Sequence, residues 1–146
     1  MTVYLLDINV LLALFDPQHA QHEDAHVWFS LNQGRGWATC PFTDNGFVRI
    51  SSSPSYPTRP GDASSILTAL MTFCESPFHV FWPADIRLGI LLSRSTVLLH
   101  NHVTDLYLLG LTIHHGGKLA TFDRRIPAAL IDGGAAAVTL LPITES

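Results

Sequence analysis

The sequence is short of lysine and of charge in general. A single lysine, Lys118, stands among 8 basic and 12 acidic side chains, the net charge is −4, and only 14% of the 146 residues are charged. A protein that coats nucleic acid through bulk positive charge needs a basic stripe. Any nucleic-acid contact here must therefore be local, metal-mediated or shared with a second subunit. Low charge beside 47% hydrophobic content also excludes a disordered chain and a coiled coil. Cysteine is scarce too. Cys40 and Cys74 show neither CxxC nor Cys/His ligand spacing, which excludes a disulfide framework and a structural zinc site and fits free thiols of a cytosolic protein. The longest apolar runs, residues 3–15 and 106–113, fall short of the ~20 residues a membrane span requires, and Asp7 and Asn9 interrupt the first. No basic residue precedes Arg35, so the start of a secretory signal is missing. The expectation is one globular domain over residues 1–146, in the cytoplasm, with no membrane segment.

What is present is an alternation of short apolar stretches with helical patterns, without repeats or low-complexity tracts. Residues 3–6, 37–40, 78–82, 119–122 and 138–141 read as strands. Helices are expected from Pro17 to the glycines at 34–36, from Pro41 through Ile50, and from an Asp62 cap onward with Ile66, Leu67, Leu70 and Met71 on one side. Further helices are expected over residues 83–93, over residues 105–115 after a Thr104 cap, and over residues 124–131. Residues 95–102 fit either a strand or a helix end. Residues 51–61, SSSPSYPTRPG, form the one loop-like region. Short apolar strands alternating with helices predict an α/β fold, a mostly parallel sheet covered on both faces.

Four acids fall beside strand ends or helix starts. Asp7 follows the first strand, Asp123 the fourth, Asp105 opens a helix, and Asp44 lies one turn beyond the second strand. Ligands of open α/β sheets gather at the carboxyl ends of the strands, so these acids can converge on one edge. Clustered carboxylates take up protons or hold a divalent cation. With oxygen ligands alone that cation is Mg²⁺ or Mn²⁺, and the matching chemistry is phosphodiester hydrolysis. Spacing alone fits a second reading equally: Asp7 and Asp123 as turn formers and Asp105 as a helix-start acid.

Three motifs shift that balance. LLDINVLLALFD at residues 5–16, PFTDNGFVRI at residues 41–50 and TDLYLLGLTIHHGGKLATFDRRI at residues 104–126, in this order, resemble the PIN domain and within it the VapC toxins of bacterial toxin–antitoxin pairs. The resemblance implies a three-layer α/β/α sandwich, Mg²⁺-dependent endoribonuclease activity on RNA with Mn²⁺ able to substitute, a homodimer, and inhibition by a cognate VapB-type antitoxin. It also implies Asp7, Asp105 and Asp123 as metal-binding acids, Asp44 as a fourth catalytic acid, and Asn9, Thr104 and Thr121 as residues that orient them. The second motif ordinarily carries glutamate where this chain has Asp44, one methylene shorter. A catalytically weak or inactive PIN-like module that binds RNA or protein is the alternative this departure keeps open. A phosphohydrolase with Asp7 as nucleophile is a further one, disfavoured because Asn9 replaces the usual second acid.

His19, His22 and His26 share a helix face; the reading is a solvated face rather than a metal site, with His22 retained as an RNA contact. His114 and His115 are expected to complement a helix dipole. Arg124 and Arg125 follow Asp123 directly and suit a phosphate, as does Arg49 beyond Asp44.

Overall fold

Strand alternation sets the architecture. Tyr4 and Leu6 point to one face of the first strand and Leu5 to the other, and all three are buried, so helices must cover both faces. The computed structural model describes residues 2–92 and 96–144. Strands β1 (Tyr4–Leu6), β2 (Trp37–Thr39), β3 (His79–Phe81), β4 (Lys118–Thr121) and β5 (Val138–Leu140) form one sheet in the order β3-β2-β1-β4-β5. Every pairing is parallel. Helices α1 (Ile8–Phe15), α2 (His22–Asn32), α3 (Pro41–Ser51) and α4 (Ala63–Phe73) contribute to the core on one face, with Tyr4, Leu6, Trp37 and Phe47. On the other face α5 (Leu88–Leu91), α6 (Val103–His114) and α7 (Gly134–Ala137) join the core around Leu5, Ala38, Trp82 and Leu119. The expected α/β/α sandwich is therefore present, with an entirely parallel sheet.

Several local expectations change. Helix α1 follows β1 immediately, where the apolar run masks any helical period. Asp7 caps it, accepting a hydrogen bond from the Ile8 N–H at 2.8 Å, and Val10, Leu11, Ala13 and Leu14 are buried. The helix expected from Pro17 begins only at His22, because Asp16 holds a turn: its carboxylate accepts from the Gln18 N–H at 2.9 Å and its carbonyl from the His19 N–H at 3.0 Å. Asp62 caps α4 through the Ser65 N–H, yet only Ile66 and Leu70 of the expected stripe are buried, while Leu67 and Met71 are exposed.

Between residues 83 and 92 helix is confined to Leu88–Leu91. The carbonyl of Ile86 is held by the Tyr107 hydroxyl at 2.7 Å; Ser93 and Ser95 lie outside the described residues. A 3-10 turn at His100–His102 starts the winding before α6, so His102 occupies the cap and Thr104 falls in the first turn. Gly116, at φ +75°, ends α6. Its N–H reaches the Ile113 carbonyl and that of Gly117 the Thr112 carbonyl, both at 3.0 Å, the paired bonds of a left-handed helix stop. The helix expected over residues 124–131 shrinks to a 3-10 turn at Ala128–Leu130, since Pro127 drives Ile126 out of helical conformation.

Candidate active site

The sheet order reverses beside β1: the chain steps outward from β1 to β2 and β3, then returns to place β4 and β5 on the other flank. A crevice outside the carboxyl ends of β1 and β4 is the place where such sheets bind ligands. Asp7 sits there, 5% exposed. Its Oδ2 accepts from the Thr121 hydroxyl at 2.8 Å and from the Asn9 side-chain amide at 3.4 Å. That amide also donates to Thr121 Oγ1 at 3.0 Å, and Asn9 Oδ1 accepts from the Phe122 N–H at 3.1 Å. Asn9 thus ties the start of α1 to the end of β4, a positioning role that no second acid would fill in the same way. Thr121 Oγ1 further accepts from the Asp123 N–H at 3.0 Å, so one hydroxyl locates two of the acids.

Burial pushes the Asp7 carboxyl up to about 6; the hydrogen bonds from Thr121 and Ile8 pull it down, and the charges of Asp105 and Asp123 push it further up. Asp105, half-buried in the first turn of α6, is raised by burial and then by the charge of Asp123, with His102 acting against both. Asp7, Asp105 and Asp123 therefore share one electrostatic environment. Their donor set is all oxygen and one carboxylate is buried at the cost of its own ionisation, which fits a hard divalent cation held by one or two carboxylates with water completing the shell.

Asp44 lies in the first turn of α3, just beyond the end of β2. Its charge bears on Cys74, at the end of α4, and on Cys40, while burial raises its own carboxyl against a hydrogen bond from Thr39. Its Oδ1 is buried without a partner among the described residues. Successive helical residues point about 100° apart, and a neighbouring face of α3 carries Phe42, Asn45, Gly46 and Arg49. These residues, with Ile8, Pro41 and Thr104, line a groove of ≈ 310 Å³. A Cβ on Gly46 would fall 2.3 Å from Cδ1 of Ile8, the residue after Asp7. Position 46 is thus where α3 packs against the start of α1, and it carries no side chain. Phe42 and Asn45 were not among the expected residues, although their spacing at 42, 45, 46 and 49 is that of one helix face.

The remaining candidates are more peripheral. Thr104 lines the groove. Arg124 and Arg125 are exposed beside Asp123; the Arg125 N–H donates to Asp123 Oδ1 at 2.8 Å, and its Nε lies 3.7 Å from the same oxygen. His22 is not at the acids. Its Nδ1 lies 2.7 Å from the carbonyl of Ala13, and His26 Nε2 lies 2.8 Å from that of Leu14. Both rings thus meet carbonyls at the C-terminal end of α1, while His26 stays exposed as expected of a solvated face. His114 and His115 meet Asp85 at the end of α6.

No profile of a known protein family matches the chain. Among individual proteins, ribonuclease VapC39 of Mycobacterium tuberculosis is 42% identical over 137 residues, spanning 90% of this chain and 94% of that protein. Ribonuclease VapC44 of the same organism is 39% identical over 131 residues, spanning 88% and 92%. The fold is similar to that of a chain of VapBC2 from Rickettsia felis bound to a DNA fragment from its promoter, with a TM-score of 0.60 and 13% identity over 97% of this chain and 100% of that chain. It is also similar to that of Mycobacterium tuberculosis VapC20, a sarcin–ricin loop cleaving toxin, with a TM-score of 0.60 and 12% identity over 88% and 95%. Identity of about two residues in five across nearly the full length of VapC39 and VapC44 places the chain plainly: it belongs to the VapC ribonuclease family.

Proposed function

We propose that this chain is a metal-dependent endoribonuclease toxin that hydrolyses RNA phosphodiester bonds, with Asp7, Asp105 and Asp123 holding Mg²⁺, for which Mn²⁺ can substitute. The observation that carries the reading is that the charges of Asp105 and Asp123 both bear on Asp7 at the reversal point of the sheet, with its buried carboxyl held up to about 6. A divalent cation at such a site supplies charge stabilisation to the phosphate and lowers the pKa of an attacking water.

The chain's own residues do the positioning. Thr121 and Asn9 fix Asp7 Oδ2, the N–H groups of Asp123 and Arg125 fix the Asp123 loop, and the exposed guanidinium groups of Arg124 and Arg125 are placed to meet a phosphate. The groove along α3 presents Phe42, Asn45 and Arg49 beside Thr104, an aromatic face, an amide and a cation suited to a single-stranded nucleotide next to the scissile bond. Asp44 is not assigned a catalytic role.

The proposal includes a VapB-type antitoxin as inhibitory partner and a cytoplasmic setting, in which RNA substrate and antitoxin meet the toxin. It also includes a homodimer. With a net charge of −4 a groove shared between subunits holds RNA better than one subunit alone, and the exposed Ile90, Val97 and Leu99 offer apolar surface for pairing. No helix among the described residues is long and apolar enough to cross a membrane.

The test is cleavage of a pooled RNA by antitoxin-free protein in Mg²⁺, Mn²⁺ or EDTA, with Asp105→Ala in parallel. Metal-dependent cleavage that falls at least ~100-fold in the variant supports the reading. Equal activity of both proteins identifies a contaminating nuclease. Absence of cleavage by either, with RNA still bound, favours a non-cleaving binding module.

A further inference from the structure

We infer that Asp85, His114 and His115 form a second cation site, for a divalent transition metal of the zinc class, remote from the acidic crevice. Nε2 of His114 lies 3.4 Å and Nε2 of His115 lies 3.2 Å from Oδ1 of Asp85. The three ligand atoms all lie within 4.8 Å of one another, and no other group of three or more His, Cys, Asp or Glu among the described residues does so. Zinc binds imidazole nitrogen and carboxylate oxygen at about 2.0–2.2 Å in tetrahedral geometry, which sets its ligands about 3.3 Å apart. The two imidazole–carboxylate separations match that spacing.

Three further features support a cation here. The carbonyl of Pro83 lies 3.2 Å from His115 Nε2, a hydrogen bond that orients the ring and that a metal on this nitrogen would replace. The His115 ring stacks on Trp82, with centroids 4.9 Å apart and planes 13° apart, so one ligand is held in place before any metal arrives. The cluster also stands at the C-terminal end of α6, where the helix macrodipole is negative and favours positive charge. Side-chain exposures of 49% for Asp85 and 39% for His114 leave an open path for the ion.

The alternative is two imidazoles competing for one exposed carboxylate oxygen, an arrangement worth little in water. Ligand softness separates the two sites. Two imidazoles and one carboxylate suit zinc, nickel or copper, whereas the acidic crevice suits magnesium or manganese. Distance separates them as well. Nine residue steps along α6 separate Asp105 from His114, about 14 Å at the helical rise of ~1.5 Å per residue. A metal at this site would clamp the Pro83–Asp85 stretch, just after edge strand β3, to the end of α6.

The test uses untagged, metal-free full-length protein titrated with Zn²⁺ by calorimetry in excess Mg²⁺, and with Co²⁺ by visible absorption. The expected result is one Zn²⁺ per chain that Mg²⁺ does not displace, the absorption bands of four-coordinate Co²⁺, and a rise in Tm with Zn²⁺. His114→Asn and Asp85→Asn, both at exposed positions with folding checked by circular dichroism, each weaken Zn²⁺ binding at least tenfold, and Asp105→Asn does not. Absence of Zn²⁺ binding in excess Mg²⁺, binding unchanged in His114→Asn and Asp85→Asn, or binding lost in Asp105→Asn would each overturn the assignment. Since binding is read without RNA, failure here is distinguishable from failure of the nuclease reading.

Discussion

The hydroxyl of Thr121 donates to Oδ2 of Asp7 at 2.8 Å, joining residues 114 positions apart in the chain. This one bond couples the end of β4 to the end of β1 at the point where the sheet order reverses. It also lowers the Asp7 carboxyl against the larger effect of burial, so the same contact locates the acid and keeps it ionisable near neutral pH.

Asp7 is expected to be a stability cost above neutral pH when no cation is present. Its folded carboxyl sits at about 6 against an ordinary 3.8, so between those values the folded state binds the proton more tightly than the unfolded chain. Stability therefore falls as pH rises through that window, and the cost persists above it, at about 3 kcal/mol. Asp7→Asn retains a good helix cap. Urea unfolding in EDTA should show the variant more stable by about 1–3 kcal/mol near pH 8, with the gain largely gone near pH 4. RNA cleavage should be abolished in the same protein.

Asp44→Asn should leave cleavage within about threefold of wild type, less than ~1 kcal/mol in transition-state terms. Its charge bears on Cys40 and Cys74, whereas the charges that raise Asp7 are those of Asp105 and Asp123. A loss comparable to that of Asp105→Ala in the same assay would return Asp44 to the catalytic set.

Replacing His22 with alanine is expected to cost stability and not chemistry. The ring lies 2.7 Å from the Ala13 carbonyl, and losing a partner for a part-buried backbone group costs about 1–2 kcal/mol. Thermal denaturation should show the loss while the cleavage rate of the folded protein is unchanged. A reduced rate at unchanged stability would instead make His22 an RNA contact.

Asp16 anchors the proline-containing loop after α3. It is 5% exposed and accepts hydrogen bonds from the Tyr56 hydroxyl at 2.9 Å, the Thr58 hydroxyl at 2.8 Å and the Gln18 N–H at 2.9 Å. Burial alone would raise its carboxyl, but these three donors together bring it below 3.8, and burial with the neighbouring carboxylate pushes Tyr56 up to about 12. Because the folded value is depressed, the anchor's contribution is present above the ordinary carboxylate range and is lost as pH falls through the folded value. Asp16→Ala should destabilise the protein by about 2–4 kcal/mol and expose residues 52–61 to limited proteolysis.

The legible parts of the site were those written in local chemistry. An aspartate directly after an apolar strand, followed by a helix-forming stretch, locates both Asp7 and its cap. Asp123 and Thr121 follow from the end of β4 in the same way. The role of Asp44 is less legible, because it depends on which side of α3 faces the crevice, and one residue along a helix turns the side chain by about 100°. Helix α1 was hidden for a related reason. Its apolar run continues that of β1, and an element packed on several sides shows no periodicity to read. The same limit applies to Asp85, which nothing local connects to His114 and His115.

The sequence by itself determined the alternating α/β pattern, the five strands, the family motifs and the absence of a long apolar span, because each rests on a short stretch of residue types. Only the tertiary structure decided which carboxylates share a charge environment, that Gly46 packs against Ile8, that His22 serves a helix end, and that Asp85 meets two histidines. Those outcomes depend on helix rotation and on contacts between segments far apart in the chain. They are set by packing against a common sheet, where the burial of apolar faces fixes each helix and carries its polar residues along with it.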